Sequence, residues 1–464
     1  MKKKVKVLKD YFDQKRIHPA PLAIFRILFG CLMLVALIRF WANGWIFNIY
    51  IEPDFHFKYV GFEWVDDLGQ FTYMLYALAI VACFGIILGY HYRLAMIAFF
   101  VLFTYTELID KTTYLNHYYF TSCVAFILCF LPAGDYFSLD TRRKGLKITT
   151  IPAWMIDSLK LFLAIVYFYA GIAKINSDWL LQAQPLSLWL SSKYHLPFIG
   201  GLLQLKWVHY AASWSGMLYD VFIPFFLLYP KTRRIAFVFV VLFHVMTKIF
   251  FPSIGMFPYI MLFSATIFFS LEWHQSLIKK LKTQLQKITV FLQYFKDTNK
   301  FPLSPIAFSP KGYVLPLLLF FFTVQILFPF RYLAYPGELF WNEEGYRFSW
   351  RVMLMEKKGY TIFKVRDSIN QKTFYVNNAD FLTPFQERQM SFQPDFILEY
   401  AHYLADHFTQ QGHQNVQIFA DSFVALNGRP SQRFIDPTVD LATQKMSIKH
   451  KTWVLPFADE IQGL

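Results

Sequence analysis

Three groups of polar residues lie where long apolar runs of the sequence begin, end or continue. The first contains Asn116 and His117, the second ends on Lys174, and the third is His244. Ionisable residues are costly inside apolar segments and often belong to functional sites. Because burial disfavours the charged form of a lysine, and a neutral amine can act as a general base, we expect Lys174 to remove a proton within a pocket that these residues share. The structural alternative is that Lys174 extends outward to lipid phosphate.

The elements that must position these residues are apolar segments long enough to cross a membrane. Of the 464 residues, 56% are hydrophobic and only 16% are charged, which is more apolar than a soluble protein of this size. About nine segments approach the length of a spanning helix, namely 21–41, 71–90, 94–109, 113–131, 155–173, 214–229, 234–251, 254–271 and 313–330. We therefore predict a polytopic α-helical membrane protein.

The charge of the loops predicts the orientation of the chain. With the N-terminus inside, the acidic loop 42–70 falls outside, and the basic segments 142–147, 231–234 and 274–312 fall inside. The C-terminus and the three polar groups then lie toward the outer face. These loops account for the net charge of +14, so nucleic acid is not an expected partner. Residues 274–300 are either an amphipathic helix on the inner membrane surface or a solvated basic linker.

The composition changes after Phe330. Residues 331–464 mix charged, polar and aromatic residues as soluble domains do. The spacing of apolar residues predicts three strands, at 360–365, 373–376 and 416–426, and a helix at 394–410. We expect residues 1–330 to form a transmembrane domain and residues 331–464 to form a C-terminal extracytoplasmic α/β domain.

The remaining ionisable residues in the apolar runs, and the cysteines, have structural interpretations. Arg26 and Arg39 lie near the two ends of the first run, where their side chains can extend to the membrane surface. Asp110 and Lys111 are expected to belong to a surface ion network. The four cysteines lie within apolar runs and lack the spacing of a zinc site, so no metal is expected.

Several short segments form an ordered set along the chain. They are Leu22–Gly30, Asp110–Thr112 with Asn116 and His117, Ile165–Lys174 with Asp178 and Trp179, Phe243 with His244, Ser253–Phe257, Tyr346–Trp350 and Gln432–Pro437. In order and approximate spacing, this set resembles the vitamin K-dependent gamma-glutamyl carboxylase family, in the form of its shorter bacterial members. No single segment is diagnostic, but the ordered set is specific.

The resemblance implies an enzyme that couples two reactions. Reduced vitamin K, as phylloquinol or menaquinol, is oxidised by O2 to the 2,3-epoxide, and a strong base formed on the way removes a γ-proton from a substrate glutamate. The resulting carbanion takes up CO2. A γ-proton beside a carboxylate is too weakly acidic for a side-chain base, so quinol oxidation must drive the reaction, and the site must exclude water.

The resemblance also implies roles for individual residues. Those for catalysis and quinol contact are Lys174, which is the base, with Asn116, His117 and His244, and those for glutamate binding are Tyr346, Ser349 and Trp350. Two features depart from the animal members. Met355 stands where they have a histidine, which leaves Lys357 as a candidate partner for a substrate carboxylate. The sequence stops soon after 432–437 and lacks their cysteine pair, so recognition of an animal-type propeptide is not expected.

Three functions remain open at this point. The first is carboxylation of glutamate in an exported polypeptide. The second is a quinol oxygenase or epoxidase without carboxylation, which Met355 favours. The third is a quinone- or lipid-binding membrane module without catalysis, which the presence of Lys174 disfavours. We expect a bacterial inner-membrane protein with a cytoplasmic N-terminus and a periplasmic C-terminal domain, whose partners are the lipid membrane, the quinol and the exported glutamate-containing polypeptide.

Overall fold

The computed structural model describes residues 11–12, 14–287 and 304–463, and the larger part of it is a bundle of helices. In chain order these are α1 (Ala20–Ala42), α2 (Thr72–Leu88), α3 (Tyr92–Ile109), α4 (Asn116–Phe130), α5 (Leu139–Lys144), α6 (Ala153–Ile172), α7 (Ser177–Leu181), α8 (Leu186–Ser191), α9 (Lys206–Leu228), α10 (Arg233–Phe250), α11 (Phe257–Ala265), α12 (Leu271–Lys287) and α13 (Val314–Leu327). A small sheet accompanies them, in the strand order β1 (Arg16–Ile17), β2 (Leu146–Pro152) and β3 (Ser304–Ala307).

Six of the described helices are long and apolar enough to cross a membrane: α1, α2 with the turn before it, α3, α6, α9, and α13 with the turn after it. The other predicted spans, 113–131, 234–251 and 254–271, are helical as well and correspond to α4, α10 and α11. However, α4 has only 15 residues, and α10 includes three basic side chains. The helices are those of a polytopic membrane protein, and the number of nine spans stays a prediction.

Helices α6 and α9 approach each other closely at Gly171. A Cβ atom at this position would lie 2.6 Å from the backbone nitrogen of Val221, so a side chain there would force the two helices apart. Glycine is the residue that permits this distance. Because Lys174 lies just after Gly171, and Asp220 lies next to Val221, the close approach brings those two side chains together.

Arg26 is buried, so the expectation that it extends to the membrane surface is wrong. Its side chain is 1% exposed, and its Nη2 donates a 2.7 Å hydrogen bond to the carbonyl oxygen of Phe137. Gly89 leaves room for the same guanidinium group. Arg39, by contrast, lies over the ring of Trp45, with 4.6 Å between its Cζ and the ring centroid. Arg26 therefore ties α1 to the residues that follow α4.

The predicted amphipathic segment 274–300 is helical as far as it is described. Helix α12 covers its first part, and residues 288–300 lie outside the described residues. Ile278 of this helix packs with Ala20 and Ile24 at the start of α1. Part of the apolar face of α12 is therefore buried against the bundle.

The C-terminal part contains an antiparallel sheet of four strands. They are β4 (Lys357–Asp367), β5 (Lys372–Tyr375), β6 (Val416–Leu426) and β7 (Gln432–Arg433), in the order β5-β4-β6-β7. Its helices are α14 (Leu339–Asn342), α15 (Pro384–Met390) and α16 (Pro394–Gln410), and α16 packs on β6. The predicted helix at 394–410 and the predicted strand at 416–426 are confirmed at their predicted bounds.

Buried polar contacts join the C-terminal part to the membrane helices. Lys111, between α3 and α4, is 3% exposed, and its Nζ lies 3.1 Å from Asp395 and 2.7 Å from Glu399 of α16. Asp110 accepts a 3.1 Å hydrogen bond from Nε2 of Gln386. The expectation of a surface ion network at Asp110 and Lys111 is therefore wrong, because these residues lie in a buried contact between the two parts of the chain.

The pKa values of the two carboxylates that face Lys111 are shifted in opposite directions. Burial raises the pKa of Glu399 above its ordinary value, although Lys111 opposes this effect. Burial acts in the same direction on Asp395, but the charges of Arg347 and Lys111 hold the pKa of that carboxyl well below its usual range. Arg347 also donates a 2.8 Å hydrogen bond to Asp395. Asp395 is therefore the firmly ionised member of the pair.

Candidate active site

A cavity of about 210 Å³ lies among helices α6, α9 and α10. Most of the side chains that line it are apolar, and Val352 and Met353 of the C-terminal part contribute to its wall. Its ionisable lining residues are Lys174, Asp220 and His244, together with the hydroxyl group of a tyrosine. The structure thus brings two of the predicted site residues, Lys174 and His244, to one apolar cavity.

Lys174 lies just after the end of α6 and is buried, with 4% exposure. Its Nζ donates a 2.8 Å hydrogen bond to Oδ2 of Asp220 and a 3.0 Å hydrogen bond to the carbonyl oxygen of Ala170. The ring centroid of Trp179 lies 5.3 Å from the same Nζ, in a cation–π contact. Lys174 is therefore held inside the protein rather than extended outward to lipid.

The contact between Lys174 and Asp220 can carry a proton in either of two positions. Unpaired charges are costly to bury in apolar surroundings, so each of these two groups stabilises the other at this position. Nζ and Oδ2 are 2.8 Å apart, so a proton can pass between them without displacement of either side chain.

His244 of α10 lines the same cavity. Its Nε2 lies 3.0 Å from the hydroxyl oxygen of Tyr167, and its Nδ1 is a buried nitrogen without a hydrogen-bond partner among the described residues. The neighbouring Phe243 stacks on Tyr219 with 4.0 Å between ring centroids. The hydrogen bond to Tyr167 fixes the imidazole ring, and a molecule bound in the cavity can supply the missing partner of Nδ1.

Asn116 and His117 are not among the residues that line this cavity. Nδ2 of Asn116 donates a 2.8 Å hydrogen bond to the carbonyl oxygen of Arg351. His117 is buried, and its Nε2 has no hydrogen-bond partner in the described part of the chain. Its ring centroid lies 6.1 Å from that of Phe257, which lines the cavity and lies 5.5 Å from His244. His117 is therefore next to the cavity wall, and Asn116 supports the backbone of the C-terminal part.

The predicted glutamate-binding residues belong to the segment 343–356, which joins α14 to β4. Four of its residues that are not glycine have positive φ angles: Glu343 (57°), Phe348 (58°), Trp350 (58°) and Met353 (52°). Such a conformation is costly for a residue with a side chain, so it persists only where the surrounding contacts fix it. The segment must therefore be held firmly by its neighbours.

Hydrogen bonds from the membrane helices and their ends supply that restraint. The backbone nitrogen of Phe348 donates a 2.8 Å hydrogen bond to the hydroxyl oxygen of Tyr114, which precedes α4. Arg331 donates to the carbonyl oxygen of Arg347 and, at 3.0 Å, to Oγ of Ser349. Together with the bond from Asn116, these contacts fix the backbone of the segment against the bundle.

Aromatic packing also restrains the segment 343–356. Trp350 is fully buried, stacks on Tyr119 at 4.8 Å between ring centroids and meets the ring of Phe162 edge-on at 5.5 Å. Tyr346 packs edge-on against Phe340 at 6.1 Å, and burial raises the pKa of its hydroxyl group above the ordinary value. The predicted glutamate-binding side chains thus hold the segment in place, while other residues of the segment reach the cavity.

Comparison with models of known protein families gives two matches. Residues 14–273 match the HTTM domain. Residues 310–460 match the lumenal domain of vitamin K-dependent gamma-carboxylase. The chain belongs to the vitamin K-dependent gamma-carboxylase family. No solved structure matches it. Membership of this gamma-carboxylase family implies a membrane-embedded carboxylase with vitamin K as its cofactor, and it confirms the resemblance seen in the ordered motifs.

Lys357, a predicted partner of a substrate carboxylate, is paired within the chain. Its Nζ lies 2.9 Å from a carboxylate oxygen of Glu343 and donates a 2.5 Å hydrogen bond to the carbonyl oxygen of Trp341. Burial lowers the pKa of Lys357, although Glu343 opposes this effect. Met355 packs on the apolar core of the C-terminal part. Neither residue is among those that line the cavity.

Two residues that shape the candidate site are absent from the residues that the sequence predicts. Asp220 is the partner of Lys174, and Arg331 restrains the segment 343–356. The presence of an acidic residue within the apolar run 214–229 is a signal that could have identified Asp220. No comparable signal marks Arg331, because a basic residue at the end of an apolar run is common at a membrane surface.

Proposed function

We propose that this protein carboxylates glutamate residues of an exported polypeptide at the γ-carbon, driven by oxidation of vitamin K hydroquinone to the 2,3-epoxide by O2. The added carboxyl group comes from CO2. The observation that carries the proposal is the pair of Lys174 and Asp220, joined at 2.8 Å in an apolar cavity. Family membership supplies the reaction class, and the cavity supplies a base within reach of a lipid-soluble molecule.

The residues of the cavity fit a quinol. A fused aromatic ring with two hydroxyl groups needs apolar walls and a small number of hydrogen-bonding groups. The cavity offers apolar walls, the amine of Lys174, and the unpartnered Nδ1 of His244. When the quinol is bound, its oxidation by O2 supplies the basicity that removal of a γ-proton requires.

Lys174 takes the proton of a quinol hydroxyl group in this proposal. Asp220 accepts the proton that Lys174 must first release, and it holds the Lys174 side chain in position. Trp179 and the other apolar lining residues exclude water, which would otherwise protonate the glutamate carbanion before CO2 reacts with it. His244, fixed by Tyr167, orients the ring.

The proposal puts the cavity toward the outer face of a bacterial inner membrane, with residues 331–464 in the periplasm. Loop charge supports this orientation. The contribution of Val352 and Met353 to the cavity wall also supports it, because the C-terminal part then meets the quinol site at the membrane boundary. A quinol arriving through the lipid and a polypeptide arriving from outside can meet there.

A second candidate function is quinol oxygenation without carboxylation. Met355 replaces the histidine of the animal members, and Lys357 is occupied by Glu343, so two groups that could bind a glutamate carboxylate are missing or engaged. Under this alternative the quinol chemistry of Lys174 is unchanged, and only the acceptor differs.

One assay separates these functions. Purified protein in detergent is supplied with reduced vitamin K, O2, labelled bicarbonate and a short glutamate peptide, and both the epoxide and the incorporated label are measured. Formation of both products is the result expected for a carboxylase. Epoxide without label would select the oxygenase. Absence of both products, from protein with an intact thermal transition, would contradict both proposals and favour a binding module.

A further inference from the structure

A second cavity, of about 280 Å³, lies in the C-terminal part beside Arg351. Its lining includes the polar side chains of Asn176, Glu338 and Asn342. A neighbouring cavity of about 500 Å³ shares part of this lining, namely Gly337, Glu338, Asn342 and Ile461. We call the two together the Glu338 cleft, and neither of them shares a lining residue with the cavity at Lys174.

Arg351 lines the Glu338 cleft without an anionic partner. The residue is 6% exposed, and its Nε and Nη1 are shielded from solvent and lack hydrogen-bond partners among the described residues. The ring of Tyr332 lies 4.5 Å from its Cζ and supports the plane of the guanidinium group. A buried donor without an acceptor costs free energy, and this cost is larger for a charged group. Binding of an anion would remove it.

Other buried cations nearby do have such partners. Lys111, Lys174 and Lys357 each have a carboxylate oxygen within 2.7 to 2.9 Å of Nζ. Within residues 11–12, 14–287 and 304–463, no carboxylate forms an ion pair with Arg351. These three lysines are paired with internal carboxylates, whereas Arg351 lines a cavity without one, so its missing partner points to a ligand bound in that cavity.

The two carboxylates that line the cavity beside Arg351, Glu338 and Glu344, do not take this role. Glu344 is bound to Nδ1 of His450 at 2.7 Å and to the backbone nitrogen of Lys451 at 2.8 Å. Glu338 accepts a 3.1 Å hydrogen bond from the backbone nitrogen of Phe340, and burial raises the pKa of its carboxyl group above the ordinary value. The cleft can therefore accept one external negative charge at Arg351, while Glu338 and Asn342 remain as partners for peptide N–H and C=O groups.

We propose that Arg351 binds a carboxylate of the exported polypeptide, at a position other than the reacting glutamate, and that the Glu338 cleft holds the peptide around it. A guanidinium group can donate two parallel hydrogen bonds to a carboxylate. The next residues, Val352 and Met353, line the Lys174 cavity, so the anchor and the reaction site share one short segment. The assignment rests on the proposed function, because it identifies the ligand as the polypeptide that is carboxylated.

The first test measures binding without turnover. Three fluorescent peptides share one reacting glutamate and are added to the purified protein in detergent without quinol. One has a second glutamate and an amidated C-terminus, one has glutamine at that position and a free C-terminus, and one has glutamine and an amidated C-terminus. By anisotropy, the first or the second should bind about tenfold to a hundredfold more tightly than the third, and which of them does so identifies the carboxylate as a side chain or a terminus. Equal affinities for all three would overturn the proposal.

The second test assigns the preference to Arg351. The Arg351→Gln variant should bind the three peptides equally, and Arg351→Lys should retain part of the preference. Arg366→Gln, at an exposed position of β4, is the matched control and should bind like the unaltered protein. A full preference in Arg351→Gln would contradict the assignment. Because the peptide comparison on the unaltered protein is independent of any variant, poor folding of Arg351→Gln would not leave the proposal untested.

The proposed function is tested separately, by label incorporation. One outcome is selective binding that depends on Arg351, together with epoxide but no carboxylated peptide. It would contradict the proposed carboxylase function and support the proposed carboxylate-binding cleft. Carboxylation of all three peptides with equal KM would support the carboxylase function and contradict the proposed binding of a second carboxylate by Arg351.

Discussion

Asp178 and Arg429, which are 251 residues apart in the chain, form two hydrogen bonds of 2.7 Å between carboxylate and guanidinium. Asp178 is fully buried at the start of α7, and it also accepts a 2.7 Å hydrogen bond from Asn427. Because Asp178 lies just after Lys174, this contact fixes the C-terminal part next to the proposed base.

Replacement of Arg429 should weaken that attachment strongly. Arg429→Met leaves the buried carboxylate of Asp178 without a cation, and we expect a loss of about 3–5 kcal/mol in the free energy of unfolding. Thermal unfolding in detergent measures it. The control is Arg433→Met, whose 3.2 Å ion pair with Asp421 is exposed and should contribute about 1 kcal/mol or less. Equal shifts in the two variants would contradict a special role for Asp178.

Lys111→Met should destabilise the protein in a pH-dependent way. The pKa of Asp395 is depressed in the folded protein, so its contribution to stability is present above its unfolded pKa of about 4 and is lost as the pH falls below it. Glu399, whose pKa is raised, changes in the opposite direction. Without Lys111 both carboxylates are less favourably ionised, so the stability deficit should be largest near neutral pH and should shrink toward pH 4. Lys358→Met, at an exposed lysine, should show no such trend.

Lys174→Ala should abolish quinol-dependent O2 consumption while the protein remains folded. The reason is that no other amine lines the cavity among the described residues. Lys206→Ala, at the exposed start of α9, is the matched control and should consume O2 at the unaltered rate. Full O2 uptake by Lys174→Ala would rule out its assignment as the base.

Asp220→Asn should slow the same reaction by about a hundredfold or more, because the variant cannot accept the proton from Lys174. The KM for quinol should change little, since an asparagine side chain has nearly the same size as that of aspartate. The pH profile of O2 uptake should also change, whereas a merely structural contact would alter stability and leave the profile as it was. An unchanged rate and profile would exclude Asp220 from proton transfer.

Met355→His should not impair carboxylation of a glutamate peptide, and an increase is compatible with the role of histidine in the animal members. The position is partly buried against the C-terminal core, so the thermal transition serves as the control for folding. Loss of carboxylation in an otherwise active, folded variant would show that this position has been interpreted wrongly.

Local sequence patterns predict many of the helices and strands of this fold. Helix α16 and strand β6 have the bounds that their apolar spacing predicts, because each buries one face and exposes the other. Helix α13, in contrast, is apolar around nearly its whole circumference, so the spacing of its apolar residues does not show which face meets its neighbours. Length and composition identify such a helix, but its packing partners depend on the whole bundle.

The candidate site was predictable in its residue types and less so in its geometry. Lys174 and His244 stood out because a charge or an imidazole in an apolar run is costly. The pairing of Lys174 with Asp220 depends on the close approach at Gly171, which no local pattern reveals. Asn116 and Trp350 hold the backbone of segment 343–356, and their predicted ligand contacts stay predictions.

That segment has a consequence for how ligands affect one another. Its residues Val352 and Met353 line the cavity at Lys174, Arg351 lines the Glu338 cleft, and four positive φ angles leave the backbone between them little freedom to relax. A ligand that shifts the segment at one cavity therefore changes the binding free energy of a ligand at the other cavity. Thermodynamic reciprocity then requires that whatever factor the peptide applies to quinol affinity, the quinol applies to peptide affinity.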